Sequence, residues 1–216
     1  MIIAVDGPAA SGKGTLAAGL ARHYGLPHLD TGLLYRAVGR AVEAHENSPD
    51  FEARAIAAAE SLDFTDIEPE FLLSQRVGSL ASKVAVIGPV RKALFRVQRE
   101  FALRPGGAVL DGRDTGTQIV PEADIKLFIV AEPEARAERR ARQFEARGQK
   151  VDRAALKAGI EERDARDRNN PFGGFYPAPD AHQLDTTKLD IDAALKAAIR
   201  IIDETMASRT GSQAVR

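Results

Sequence analysis

Short apolar runs alternate along the chain with longer amphipathic segments. Residues 2–5 and 108–110 form uninterrupted apolar runs, and 125–130 is apolar apart from Lys126, a pattern that favours strands covered on both faces of a sheet. We predict two more short strands, one ending at Asp30 and one over 182–184. Apolar positions at helical spacing predict helices over 13–24, 33–45, 89–103, 133–147, 152–169 and 191–206. Strands that alternate with helices indicate an α/β fold with a parallel sheet wrapped by helices.

Two regions interrupt this alternation, and the first is 46–88. Within it, residues 46–70 are polar and contain Pro49 and Pro69, with an alanine-rich helical turn or two around 55–61. The charged helices on either side of Gly148 form the second interruption. We expect these regions to be the mobile parts of the molecule.

Composition narrows the function classes. The chain has 216 residues, enough for one domain, and its 30 basic and 31 acidic residues leave a net charge of −1. This balance gives no reason to expect a nucleic-acid or membrane partner. With no cysteine, disulfides, thiolate nucleophiles and cysteine zinc sites are excluded. No apolar run approaches the roughly 20 residues of a membrane span, so we expect a soluble, cytoplasmic protein. We also expect a monomer.

The residues after the first strand fit the pattern G-x-x-x-x-G-K. They are Gly7, Pro8, Ala9, Ala10, Ser11, Gly12, Lys13, Gly14 and Thr15. Such a turn points backbone N–H groups into one concavity that holds phosphate oxygens, and the helix that follows adds its positive end. Lys13 then reaches the β- and γ-phosphates, while Thr15 supplies the hydroxyl for Mg²⁺ one position later than usual. The motif indicates a nucleoside triphosphate site without choosing between kinase, GTPase and motor.

Four further motifs follow the phosphate loop in order. They are Asp30-Thr31-Gly32 with Tyr35-Arg36, then Asp111-Gly112-Arg113-Asp114, then Glu-Arg-Asp-Ala-Arg-Asp-Arg-Asn at 162–169, and Leu-Asp-Thr-Thr at 184–187. Together they resemble bacterial cytidylate kinases over nearly the whole chain. The resemblance implies a P-loop nucleoside monophosphate kinase of one domain, 1–216. It implies a small helical acceptor-binding insertion within about 31–100, a short lid at about 139–168 and a flexible tail at 208–216.

The resemblance also implies an activity and roles for individual residues. The activity is transfer of the γ-phosphate of ATP to CMP or dCMP with Mg²⁺. Residues 7–15 would bind ATP, and the cations with catalytic roles would be Lys13, Arg36, Arg113 and Arg163. Arg36 and Arg113 match the residues that bind the acceptor phosphate. The residues that match cytosine contacts are Thr31, Arg91 and Asp114, and those near the pentose are Ser82, Arg163 and Asp167.

Two features depart from the family pattern. The family often has an arginine three residues after the position of Asp167, where it helps to read the base, whereas this chain has Asn170. Many relatives also carry a β-hairpin in the acceptor-binding region. Residues 62–86 are too few for the full insertion, so we predict a reduced, mostly helical subdomain.

The residue types suit transfer between phosphates. An acceptor phosphate has a second pKa of about 6 and is largely dianionic at neutral pH, so the reaction needs no general base. The site must supply positive charge and alignment, for which the planar fork of arginine is well suited. Asp111 is interpreted either as a carboxylate that holds a water on Mg²⁺ or as a turn cap. Asp6 is expected only to cap the turn of the phosphate loop.

Other residues have less specific interpretations. A lid with Gly148 at its tip would bring Arg139, Arg142 or Arg147 over the transferring phosphate. Residues 163, 167 and 170 are predicted to share one helix face. The aromatic residues of 171–179, which are Phe172, Phe175 and Tyr176, either stack on a base or pack on their own loop. The four histidines do not cluster, and structural roles are expected for them.

Alternatives remain open at this point. A kinase for AMP or UMP would share most of these motifs, although adenylate kinases typically show D-G-F-P-R where this chain has Asp111-Gly112-Arg113-Asp114. An ATP-binding regulatory module without transfer activity would also keep the phosphate loop. RNA binding is disfavoured because the sequence shows no strongly basic face.

Overall fold

The computed structural model describes residues 1–63, 69–146, 148–170 and 175–213. Within these residues, one five-stranded sheet has the order β2-β3-β1-β4-β5, and every neighbouring pair is parallel. The strands are β1 (Ile2–Asp6), β2 (His28–Asp30), β3 (Ala108–Gly112), β4 (Ile125–Val130) and β5 (His182–Asp185). The predicted α/β class with a parallel sheet is confirmed.

Helices cover both faces of this sheet. They are α1 (Lys13–Tyr24), α2 (Thr31–Ala41), α3 (Phe51–Glu60), α4 (Pro69–Leu72), α5 (Gln75–Val84), α6 (Gly88–Ala102), α7 (Pro133–Glu145), α8 (Arg153–Arg168) and α9 (Ile191–Gln213). A 3₁₀ turn spans Glu43–His45 and a π-helical turn spans Thr115–Ile119. The prediction that the region 62–86 is mostly helical is confirmed over its described residues, because α4 and α5 occupy most of them.

Several helix ends differ from the predicted ones. Helix α2 begins before residue 33 because the carboxylate of Asp30 accepts a hydrogen bond from the N–H of Gly32 and caps the helix. It ends at Ala41, and the remaining predicted turn is 3₁₀. Helix α3 is longer than the predicted turn at 55–61. Helix α9 continues to Gln213, past the predicted end at Met206.

The sheet is buried on both faces. Ile3 and Val5 of β1 pack with Leu20 of α1 and Ile202 of α9. The opposite face of the sheet packs in a second cluster formed by Ala4, Ala102, Ala108, Leu110, Ile119, Val120 and Ala123. This two-sided burial explains why residues 2–5 of β1 and residues 108–110 of β3 are continuous apolar runs rather than alternating ones.

Two further cores lie outside the sheet. Helices α2, α3 and α6 share one of them, built around Leu34, Val38, Val90 and Leu94. Helices α7 and α8 share the other, which consists of Ala137, Ala141, Phe144, Leu156 and Ile160. Each helical group therefore packs through its own apolar cluster. No helix among the described residues is long and apolar enough to cross a bilayer.

The register brings the motifs to one edge of the sheet. Asp6 at the end of β1 pairs with Gly112 of β3, and Asp30 at the end of β2 pairs with Asp111. The phosphate loop, the segment from Asp30 to Arg36 and the segment from Asp111 to Asp114 thus lie together at the carboxyl ends of three neighbouring strands. In open α/β sheets this edge is where ligands bind.

Candidate active site

The phosphate loop has the backbone geometry of an anion site. Gly12 precedes α1 with φ 89°, and no side chain caps that end of the helix. Ala10 is also left-handed, with φ 60°. A Cβ at Gly7 would lie 2.5 Å from the carbonyl oxygen of Ile129, so only glycine allows this approach to β4. The first N–H groups of α1 have no intrahelical acceptors, which leaves them available to phosphate oxygens.

Lys13 faces a cluster of acidic and imidazole groups. Its Nζ lies 3.8 Å from Oδ1 of Asp111, and Nε2 of His28 lies 2.8 Å from Oδ2 of the same carboxylate. Asp111 is almost fully buried, and its carboxylate contacts these side chains rather than a turn. Burial and the charge of Asp111 raise the pKa of Asp30. The carboxylate expected to act near Mg²⁺ is therefore held beside the lysine of the phosphate loop.

The place of His28 in this cluster was not predicted from the sequence. His28 and Asp30 lie two residues apart on β2, so their side chains share one face of the sheet. Asp111 is the register partner of Asp30. The spacing of His28 and Asp30 predicts that they share a face, but it does not predict that β2 pairs with β3.

A cavity of about 420 Å³ opens beside the phosphate loop, between α2, α5, α8 and the end of β3. Most of the predicted site residues line it: Ala9, Ala10, Lys13, Thr31, Arg36, Ser82, Arg91, Arg113, Asp114, Arg163 and Asp167. The fold thus gathers residues from six separate segments around one space: the phosphate loop, α2, α5, α6, the end of β3 and α8.

The cations of this cavity repel one another. Burial and the neighbouring Arg113 lower the pKa of Lys13 to about 8. Burial and the same Arg113 lower the pKa of Arg163 to about 10. Burial and Arg140 lower the pKa of Arg36. Positive groups that are desolvated close to each other gain most from a bound anion, so the cavity suits a phosphate-bearing ligand.

Arg113 is oriented by a carboxylate on α8. Its Nε donates a hydrogen bond of 2.8 Å to Oδ2 of Asp167. Burial raises the pKa of Asp167, but the charges of Arg113 and Arg163, together with the hydrogen bond from Arg113, outweigh burial and lower it. Nε of Arg163 and the hydroxyl of Ser82 are buried without a hydrogen-bond partner among the described residues. Buried polar atoms are rarely left unpaired, and both of these belong to the predicted pentose-binding set.

A second polar group lies at the other side of the cavity. Arg91 and Asp114 form an ion pair whose side chains are largely buried, and the guanidinium of Arg91 lies 5.9 Å from the ring centre of Tyr35. The hydroxyl of Thr31 donates a hydrogen bond of 2.8 Å to the carbonyl of Asp111. Thr31, Arg91 and Asp114 are the three residues that match cytosine contacts.

Two predicted residues have different local settings from those expected. Helix α8 ends at Arg168, so Asn170 does not continue the helix face of Arg163 and Asp167. Asn170 still lines the cavity and donates a hydrogen bond of 3.3 Å to the carbonyl of Ala85. Arg36 donates to the carbonyls of Leu72 and Ser74, at 2.7 and 3.2 Å. Because Asn170 lies beyond the end of α8, the prediction that residues 163, 167 and 170 share one helix face is wrong.

Comparison with known proteins decides the family. The model of the cytidylate kinase family matches residues 3–204 of this chain. The chain belongs to the cytidylate kinase family. A relative named cytidylate kinase from Methylocella silvestris is 56% identical over 203 residues, which cover 94% of each chain. Another so named, from Bradyrhizobium diazoefficiens, is 51% identical over 97% of this chain and 99% of its own.

A solved structure supports the fold alone. The crystal structure of an uncharacterized protein from Eubacterium ventriosum has a TM-score of 0.55 and 19% identity, over 94% of this chain and 98% of its own. The resemblance to bacterial cytidylate kinases drawn from the motifs is confirmed by the family model and by the relatives.

Three arginines were candidates for the lid of this cytidylate kinase family member. Arg139 donates to the backbone carbonyls of Ser11, Thr186 and Leu189. Arg142 is exposed and pairs with Glu138 at 3.0 Å. Neither lines the cavity, and Arg147 lies outside the described residues. Arg140 does line the cavity, although it was not among the predicted lid residues.

Arg136 was also missed, although it joins the phosphate loop to both charged helices. It donates to the carbonyls of Ala131 and Ala9, at 2.9 and 3.2 Å, and pairs with Asp164 of α8 at 2.6 Å. Both charged side chains are more than nine-tenths buried. Periodicity in so charged a helix gives no indication of which arginine faces inward.

We expect Arg136→Met to destabilise the protein by about 3–5 kcal/mol, because it leaves a buried carboxylate without its counter-charge. Urea unfolding followed by circular dichroism measures this loss. Arg142→Met on the same helix is the matched control, since an exposed i,i+4 pair contributes only about 0.3–0.5 kcal/mol. Equal midpoints for the two variants would contradict the prediction.

Two other expectations concern Asp6 and the aromatic residues of 171–179. Asp6 does not cap the turn of the phosphate loop; its carboxylate accepts hydrogen bonds from Thr115 and Gly116 instead. Phe175 packs against Phe128, with ring centres 5.4 Å apart, which favours packing over base stacking for that ring. Phe172 lies outside the described residues, and Tyr176 is half exposed.

Proposed function

We propose that the protein transfers the γ-phosphate of ATP to CMP or dCMP and releases ADP with CDP or dCDP. One observation carries the proposal: a cavity rich in desolvated cations adjoins the phosphate loop and holds a buried arginine–aspartate pair beside them. The relatives named cytidylate kinase, at 51–56% identity over nearly their full lengths, support the same activity.

The donor nucleotide is assigned to the phosphate loop. The backbone N–H groups of residues 7–15 would bind the phosphates, and Lys13 would contact the β- and γ-phosphates. Thr15 is exposed, and a Cβ at the neighbouring Gly14 would lie 3.7 Å from the carboxylate of Asp111. The backbone cradle, an exposed threonine and a nearby carboxylate together suit a nucleotide that carries its own cation.

Mg²⁺ fits this set of oxygen donors. No group of three or more histidine, cysteine or acidic side chains among the described residues could hold a metal ion by itself. The ion would be held mainly by the phosphates of ATP. Thr15 would bind it directly and Asp111 through water. When bound, it supplies neutralisation of the charge that develops on the β- and γ-phosphate oxygens.

The acceptor is assigned to the cavity. Arg36 and Arg113 would bind its phosphate, and Ser82, Arg163 and Asp167 would bind its pentose hydroxyls. Holding two anions in line requires cations more than acid–base groups, because the acceptor phosphate is already dianionic at neutral pH. The cations of the cavity provide this charge before any ligand arrives, so little reorganisation is needed during transfer.

The base is assigned to Thr31, Arg91 and Asp114. Cytosine presents an amino donor where uracil presents a carbonyl acceptor. The carboxylate of Asp114 can accept from the cytosine amino group, but it would repel a uracil carbonyl. Arg91 fixes the position of that carboxylate through the ion pair. Cytosine can therefore be preferred through Asp114 even though this chain has Asn170 where the family often has an arginine.

A coupled assay of ADP release over CMP, dCMP, UMP and AMP tests the proposal. We expect kcat/KM for CMP or dCMP to exceed that for UMP and AMP by about 10- to 100-fold, since one discriminating polar contact contributes about 1–3 kcal/mol. Preference for AMP or UMP would overturn the base assignment. ATP binding without diphosphate from any acceptor would favour the regulatory-module alternative.

A further inference from the structure

Asp6 lies between the two halves of the active site. It is the last residue of β1, directly before Gly7 of the phosphate loop, and it is only 5% exposed. Its Oδ1 accepts hydrogen bonds from the N–H of Thr115, at 2.9 Å, and from the hydroxyl of the same residue, at 2.8 Å. Its Oδ2 accepts from the N–H of Gly116 at 2.8 Å. One carboxylate therefore binds three donors of a single turn.

That turn begins directly after Arg113 and Asp114. Thr115 is fully buried and starts the π-helical turn that ends at Ile119. On the other side of the pair, Gly112 is fixed by its register with Asp6. Arg113 and Asp114 are thus held between two attachments, and both attachments involve Asp6.

The surrounding packing leaves this segment little freedom. A Cβ at Gly112 would lie 2.6 Å from the hydroxyl of Thr31 and 2.8 Å from Cγ2 of Thr115. Burial raises the pKa of Asp6 to about 6 despite its three hydrogen bonds. A carboxylate kept where burial disfavours its charge is typical of a functional neighbourhood. Its donors all belong to the turn that follows the acceptor-binding pair.

We propose that Asp6 is a positioning residue that fixes the turn after Arg113 and Asp114 and thereby sets their place relative to the phosphate loop. This inference rests on the proposed function for the roles of those two residues. Because Asp6 is covalently joined to Gly7, a shift of the turn changes the distance between the donor and acceptor phosphates. Misplacement of reacting groups by about 1 Å can lower rates about 100-fold.

Asp6→Asn tests this role with almost no change in shape. The amide nitrogen must face one of the N–H donors, so at least one of the three hydrogen bonds is lost. We expect kcat with CMP to fall at least about 10-fold and the preference for CMP over UMP to fall at least about 3-fold. The Kd of ATP, measured by calorimetry, should change less than about 3-fold because the loop backbone keeps its own contacts.

A pair of variants at Thr115 isolates one hydrogen bond. Thr115→Val removes the hydroxyl donor and keeps the shape, whereas Thr115→Ser keeps the donor. We expect the valine variant to show a smaller loss in the same direction as Asp6→Asn, and the serine variant to stay near wild type. This rescue by serine would not follow from lost packing alone, because serine lacks the methyl group that valine retains.

A purely structural role would give a different result. Ile202→Val, in the sheet core of α9, serves as a control that changes stability away from the site. If Asp6→Asn lowers the melting temperature but keeps wild-type kcat and base preference in the folded enzyme, the proposal is wrong. Calorimetric titration of CMP and UMP keeps the test independent of turnover.

The two proposals can fail separately. A wild type that transfers no phosphate to any acceptor would contradict the proposed function. A larger loss of CMP affinity than of ATP affinity in Asp6→Asn would still support the role of Asp6.

Discussion

Replacement of Arg113 by alanine is expected to lower kcat with CMP by at least about 1,000-fold, the range seen for arginines that stabilise phosphoryl transfer. Arg113 follows the end of β3, lines the cavity and lies close enough to Lys13 and Arg163 to lower the pKa of both. Its guanidinium is held by Asp167 rather than free to rotate. Single-turnover kinetics with saturating ATP measures the loss, and the Kd of ATP should change little.

A control must separate the lost phosphate contact from the damage of an unpaired carboxylate. Arg113→Ala leaves Asp167 buried without its main partner, which by itself destabilises the site. The double variant Arg113→Ala with Asp167→Asn removes that charge. Because Asp167 is itself assigned to the pentose, the rate of the double variant is compared with that of Asp167→Asn alone. If stability recovers and the rate stays far below that of Asp167→Asn, the further loss belongs to the phosphate contact; equal rates for these two variants would remove Arg113 from the site. Arg168→Ala, at the exposed end of α8, controls for the loss of a nearby surface arginine.

The parts of this site that the sequence predicts are those fixed by short-range rules. The phosphate loop needs a strand, a glycine-lined turn and a helix in immediate succession, and all three are visible as local patterns. Asp30 and the segment from Asp111 to Asp114 come at strand ends, and parallel strands bring their carboxyl ends to one edge. Local patterns therefore predicted which segments meet there.

Contacts that depend on strand order or on the inward face of a charged helix were not predictable in this way. His28 reaches Asp111 because β2 pairs with β3, and nothing local specifies that pairing. Arg136 faces inward and Arg142 outward on α7, although both stand among many charges. Asp6 was assigned to the nearest turn in sequence, whereas its partners lie more than a hundred residues away along the chain.

The end of α8 shows why periodicity overestimated one element. Spacing alone extends the face of Arg163 and Asp167 to Asn170. The N–H of Asn169 instead completes the last turn by bonding to the carbonyl of Ala165, and residue 171 is a proline, which biases the residue before it away from helical geometry. Asn170 lines the cavity from beyond the end of α8. Its position therefore depends on the path of the chain after the helix and not on helical spacing.

Lys13→Met is the variant that separates a kinase from an ATP-binding module. We expect phosphoryl transfer to fall by at least about 1,000-fold, while ATP still binds through the backbone cradle with an affinity reduced about 10-fold. The side chain is similar in length, so lost charge is the main change. Transfer of label from γ-labelled ATP to CMP measures the rate. A wild type without transfer, or a variant with full transfer, would contradict the assignment of Lys13.

The lowered pKa of Lys13 adds a second readout. In the free protein this pKa is about 8, so part of the lysine population is neutral at pH 8. A bound triphosphate favours the ammonium form and raises the pKa, so ATP binding at that pH should take up protons. Calorimetry in buffers of different ionisation enthalpy measures this uptake, and Lys13→Met should abolish most of it. Unchanged proton uptake in the variant would mean that another group responds to the phosphates and that Lys13 does not contact them.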